Sequence, residues 1–189
     1  MSNMTTKEAR EIYLKSDCSY FVMCTNYYSS YIEYKKLGLP ADLENTWKNE
    51  KMLKLSVDIR RSGDCRLFFK ICEIAEEFHD YEKLRMVLEA LRSIREPTDP
   101  IQRLGVAETI LGRRNPKVRG GLIYWAYDIG QRGIAILLMD QVLEYLYLPN
   151  ASDAELIKRI RRGQRLCKKI IADLDLHFSN RYLKHYYNF

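Results

Sequence analysis

The chain has few residues that could perform acid–base or metal chemistry, since it contains three histidines among 189 residues. Glu76 and His79 form Glu-x-x-His, the spacing that places two iron ligands on one face of a helix. A di-iron site needs a second copy, and Asp173-x-Asp175-x-His177 does not supply it, because alternate residues on a helix point in different directions. We therefore interpret Glu76 and His79 as the polar end of a helix, with His79 complementing the helix dipole.

Other catalytic arrangements are incomplete in the sequence. His79-Asp80 resembles the metal-binding pair of phosphohydrolases, which also needs an earlier histidine, and none precedes position 79. Arg181 and His185 are one residue too close for the Arg and His pair of helical ribonucleases. The chain has no Gly-x-Ser-x-Gly and no His-Glu-x-x-His motif. We expect no catalytic residue, cofactor or metal, and a phosphohydrolase or ribonuclease of unrecognised type is the third functional alternative.

Positive charge is concentrated toward the end of the chain. The net charge is +6, and residues 151–189 carry nine Lys/Arg against four Asp/Glu. An asymmetry of this kind favours an anionic partner such as nucleic acid.

A basic corner, residues 113–121, is the first candidate anion site. Its candidate residues are Arg113, Arg114, Lys117 and Arg119. If Asn115 caps a helix, Lys117 and Arg119 lie in its first turn, where free amides and the helix dipole already favour negative charge. A bound phosphate would explain cations at this position. The alternative is a solvated corner whose cations pair with acids elsewhere.

The helix that follows Ser152 has two contrasting faces. Its apolar seam consists of Leu156, Ile160, Gly163, Cys167, Ile170 and Leu174. Alternating steps of four and three residues predict that this seam is either core or a contact between two copies. Its basic stripe consists of Lys158, Arg162, Arg165 and Lys169. This stripe, roughly 16 Å long, could follow the phosphates of a nucleic-acid strand, or it could be a solvated face.

The periodicity of apolar residues predicts an all-α fold. We expect an irregular bundle of about eight helices in short-linked antiparallel pairs, with a short helical-repeat solenoid as the alternative. Residues 1–189 are expected to form one domain, in which the prolines at 97 and 100 mark a turn that could separate two subdomains. The expected cap of the last long helix is Ser152, and that helix should run from Asp153 to about His177.

Cellular location is inferred from the cysteines and from the lengths of apolar runs. The five cysteines are odd in number and lack Cys-x-x-Cys spacing, which favours reduced thiols. A charged N-terminal segment and short uncharged stretches argue against a signal peptide and a membrane span. We therefore expect a soluble cytoplasmic protein without a membrane partner.

These observations favour binding over catalysis. The first hypothesis is an interaction or scaffold protein that binds another protein, or itself, through a Tyr-rich or Leu/Ile-rich helical face. The Tyr-rich face consists of Tyr20, Tyr27, Tyr31 and Tyr34. The second hypothesis is an RNA- or DNA-binding module that uses the basic corner and the basic stripe.

Overall fold

The computed structural model describes residues 5–15, 37–75, 80–95, 99–112 and 121–176. Of these residues, 81% lie in eight helices and none lies in a strand, so the predicted all-α class is confirmed. The antiparallel pairing of neighbouring helices stays a prediction. No helix in the described ranges is both long and apolar enough to cross a membrane.

The eight described helices are numbered in chain order. They are α1 (Thr6–Lys15), α2 (Ala41–Ser62), α3 (Cys65–Ala75), α4 (Tyr81–Ser93), α5 (Pro100–Ile110), α6 (Gly121–Asp128), α7 (Arg132–Leu146) and α8 (Ala154–Asp173). The chain divides into two compact units, one formed by residues 1–78 and 86–94 and the other by residues 79–85 and 95–189. The expectation of one domain over the whole chain stays a prediction.

Side-chain caps set where the helices begin. At α1 the Glu8 amide donates to Thr5 Oγ1 at 3.3 Å, and the Thr5 amide donates to Glu8 Oε2 at 2.7 Å. This reciprocal pair is a capping box. At α5 the Ile101 amide donates to Asp99 Oδ1 at 3.1 Å, and Pro100 takes the first helical position, where it loses no helix hydrogen bond.

In the first unit, α2 packs against both α1 and α3. Ala9, Tyr13 and Trp47 form a buried cluster between α1 and α2, with the two rings 6.1 Å apart. The buried Lys51 Nζ donates to the Tyr13 carbonyl at 3.0 Å and lies 5.8 Å from the centre of the Tyr13 ring. Lys51 thus satisfies a carbonyl in the last turn of α1, where helix acceptors have no partner within the helix.

In the second unit, α7 is the central helix. It packs against α5, α6 and α8. Leu138, Met139 and Val142 on α7 are completely buried. Because α7 contacts three neighbouring helices, it lies at the centre of the second unit, and α8 packs against it.

The structure corrects the predicted ends of α8. The capping residue is Asp153 and not Ser152, because the Leu156 amide donates to Asp153 Oδ1 at 2.7 Å. The helix ends at Asp173, and Asp175 turns the chain with a φ of 47°. Residues beyond 176 lie outside the described part, including the predicted continuation toward His177.

Candidate functional site

The apolar seam of α8 is core. Ile160, Gly163, Cys167 and Ile170 are buried, and α8 packs against α5 and α7. A Cβ atom added to Gly163 would lie 3.0 Å from Leu146 Cδ2, so the glycine allows α8 to approach α7 closely. The sequence predicted that the seam is either core or a contact between two copies, and the described contacts show that it packs internally.

Arg159 and Glu108 form an ion pair that links α8 to α5. No sequence pattern predicted this pair. Arg159 Nη2 lies 2.7 Å from Glu108 Oε2, and Glu108 is nearly buried. The hydrogen bond to Glu108 raises the pKa of Arg159 above its ordinary value. A single acid within an otherwise uncharged stretch, Val106 to Leu111, was the sequence signal that could have indicated a buried partner for an arginine.

The C-terminal end of α8 is held by α6 and α7. Tyr124 Oη donates to Asp173 Oδ2 at 2.9 Å, and the Arg132 guanidinium donates to the Asp175 carbonyl. Partial burial, together with the hydrogen bond to Asp173, raises the pKa of Tyr124 to about 12. The orientation of α8 is therefore fixed near both of its ends and along its seam.

The outward side of α8 carries the basic stripe. All four stripe residues are exposed, and successive helical rotations of about 100° place them nearly opposite the seam. The exposed residues of α8 are Ala154, Glu155, Lys158, Arg161, Arg162, Arg165, Lys169, Ala172 and Asp173. No large apolar side chain is exposed on this fully described helix, so its outward surface is almost entirely charged.

Most of this positive charge is not neutralised by the described carboxylates. Lys158 Nζ lies 3.5 Å from Glu155 Oε2, but both side chains are exposed, so the pair is weak. In the described ranges, no carboxylate forms an ion pair with the other exposed cations of α8. These cations are Arg161, Arg162, Arg165 and Lys169. Within the described part of the chain, the stripe therefore carries a net positive charge on an exposed face.

A depression of about 580 Å³ adjoins the stripe along one flank of α8. Its described lining residues include Ala154, Ile157, Lys158, Arg161, Arg165 and Lys168. Lys158 and Arg165 also belong to the basic stripe, so the depression and the stripe share an edge. Apolar groups and cations thus lie side by side on the same helix.

Several predicted site residues cannot be compared with this geometry. Arg113, Arg114, Lys117 and Arg119 of the basic corner lie outside the described residues, as do Glu76, the three histidines and the Tyr-rich face. Among the described residues there is no group of three or more potential metal ligands. The described cysteines, Cys65, Cys72 and Cys167, are buried, and no two of them form a disulfide.

The fold and the site define an all-α protein that presents an exposed cationic helix face. No family model, no curated protein and no solved structure matches the chain. Among the described residues, the exposed cations of α8 are the feature that points to a ligand.

Proposed function

We propose that this protein binds nucleic acid through the basic stripe of α8. The observation that carries the proposal is a row of exposed cations, of which Arg162, Arg165 and Lys169 form no ion pair with a described carboxylate, on a helix whose opposite face is buried. Successive stripe residues lie about 4.5 or 6 Å apart along the helix axis. The phosphates of an extended strand are separated by about 6 to 7 Å, so consecutive cations can contact consecutive phosphates.

The buried seam argues against two other uses of a basic helix. A basic amphipathic helix that lies on a membrane inserts its apolar face into the lipid interface. A helix that docks in the groove of a partner protein also uses its apolar face. In α8 that face is occupied by internal packing, so neither of these modes of binding is open to it.

The composition of the exposed face also favours nucleic acid over a protein partner at this site. The centres of protein interfaces are depleted in charge and contain aromatic or other large apolar anchors. The outward side of α8 offers no such anchor, because its exposed positions are charged or alanine. That the protein is a scaffold stays a prediction. The apolar seam of α8 is buried, so it does not serve as an interaction surface for such a scaffold.

A protein partner is the second candidate function, supported by α2 in the first unit. Leu53 and Val57 lie one turn apart and are 59% and 41% exposed. Two exposed aliphatic side chains on one helix face are suited to a small apolar contact. Sedimentation of the protein and of a Leu53→Lys/Val57→Lys variant tests this candidate, and an unchanged monomer in both would contradict self-association.

Fluorescence anisotropy with a labelled RNA of mixed sequence tests the leading proposal. We expect micromolar or tighter binding at about 50 mM salt, and a strong loss of affinity as the salt concentration rises. The variant Arg162→Glu/Arg165→Glu should bind at least about tenfold more weakly, for all sequences alike.

The matched control is Lys54→Glu/Arg61→Glu, which changes the net charge equally through exposed residues of α2. It should bind RNA nearly as well as the unmodified protein. Equal losses in both variants would show a general charge effect and overturn the assignment to α8. Binding to polyglutamate but not to RNA or DNA would point to an acidic protein partner and also overturn it.

A further inference from the structure

The depression beside the basic stripe has a composition that phosphate binding alone does not require. Ala154 and Ile157 contribute apolar groups, while Arg161 contributes an exposed guanidinium. On a helix these residues lie between the stripe and the seam, so they border any strand that follows the stripe. The depression measures about 580 Å³, and its described lining residues all belong to α8, which forms one side of it.

We infer that the nucleic acid is single-stranded, with its backbone on the basic stripe and an unstacked base in the depression. This inference rests on the proposed function and specifies its ligand. In a duplex the base faces are covered by stacking and pairing, so a duplex would offer α8 mainly phosphates. In a single strand, the bases are free to leave the backbone track and contact a neighbouring surface.

Arg161 is the residue that would contact the base most specifically. It lines the depression, is exposed, and forms no ion pair with a described carboxylate. A planar guanidinium stacks on a nucleobase, whereas a lysine ammonium supplies the same charge without a plane. Ile157, which is partly buried, supplies an apolar contact to the same base.

The test compares three ligands of equal length at one salt concentration: a single-stranded RNA, its perfect duplex, and an abasic deoxyribose-phosphate strand. We expect the single strand to bind about tenfold more tightly than either other ligand, although the duplex has the higher charge density. Arg161→Lys should weaken binding of the intact strand about five- to tenfold and leave binding of the abasic strand unchanged.

Arg61→Lys is the matched control, because it makes the same exchange at an exposed residue of α2 that lies outside both the stripe and the depression. It should change the affinity for all three ligands by less than about twofold. The base contact would be overturned if the duplex bound as tightly as the single strand or more tightly. It would also be overturned if Arg161→Lys weakened binding of the intact and abasic strands equally. In both cases nucleic-acid binding itself would stand. Failure of all three ligands to bind would instead overturn the proposed function.

Discussion

Arg159 and Glu108 form a two-point ion pair across the interface of α8 and α5. Nη2 and Nε of Arg159 lie 2.7 and 3.3 Å from the two carboxylate oxygens of Glu108. The side chain of Glu108 is 9% exposed and that of Arg159 is 33% exposed, so the ion pair lies at the edge of the core. The pair also removes Arg159 from the outward cations of α8.

Breaking this pair should destabilise the fold. Arg159→Met is expected to lower the free energy of unfolding by about 1–3 kcal/mol, because it leaves a buried carboxylate without its guanidinium. Glu108→Leu/Arg159→Met should recover most of the loss, since an apolar pair needs no charge compensation. Urea denaturation measures both effects. An Arg159→Met protein as stable as the parent would contradict a buried, energetically coupled pair.

Gly121 should be far less tolerant of substitution than Gly130, although both have positive φ angles of 68° and 78°. A Cβ atom on Gly121 would lie 2.5 Å from the Gly112 nitrogen and the Ile110 carbonyl oxygen, whereas one on Gly130 meets nothing within 4 Å. Gly130→Ala should cost about 1–2 kcal/mol of left-handed strain. Gly121→Ala should cost at least about 2 kcal/mol more, because backbone must move. Thermal unfolding of the two variants gives the comparison, and equal losses would contradict the close contact.

Local features of this fold could be predicted from the sequence because they depend on neighbours in the chain. Thr5 and Asp99 cap helices through local contacts of this kind, since a short polar side chain reaches an amide only two or three residues later. The 4-3 spacing also identified the seam of α8, because helical geometry alone determines which residues share a face.

Long-range features could not be predicted in the same way. The spacing of the seam is equally suited to core and to a contact between copies, and packing on α5 and α7 decides between them. Arg159 and Glu108 are 51 residues apart, so no local pattern links them. The spacing in the sequence predicted a row of cations on one side of α8, and the structure shows that all four of these residues are exposed.

The pH dependence of stability should include a contribution from Tyr124. Its pKa is raised from 10.0 to about 12 in the folded protein, so the unfolded chain releases the phenolic proton first. The associated stabilisation is complete below pH 10 and is lost as the pH rises to about 12. The stability difference between the parent and Tyr124→Phe should therefore shrink over this range. A difference that stays constant in alkaline denaturation curves would exclude this contribution.

Cys167 should be chemically inert in the folded protein. Burial in the seam raises the pKa of its thiol to about 12, and the thiolate is the form that reacts with alkylating reagents. Iodoacetamide at mildly alkaline pH should leave Cys167 unmodified under native conditions and modify it in concentrated guanidinium chloride. Peptide mapping by mass spectrometry distinguishes the two states. Rapid native modification would mean that α8 separates from the core on the time scale of the reaction.

The salt dependence of RNA binding provides a count of phosphate contacts on the stripe. For a single strand, the logarithm of the binding constant falls with the logarithm of salt concentration by about 0.7 for each neutralised phosphate. Arg165→Gln should therefore reduce the slope by about 0.7. Arg61→Gln, the same change on an exposed position of α2, should leave it unaltered. Since Arg165 is exposed, its substitution should also change stability by less than about 0.5 kcal/mol. A slope that falls equally in both variants would show that RNA does not follow α8.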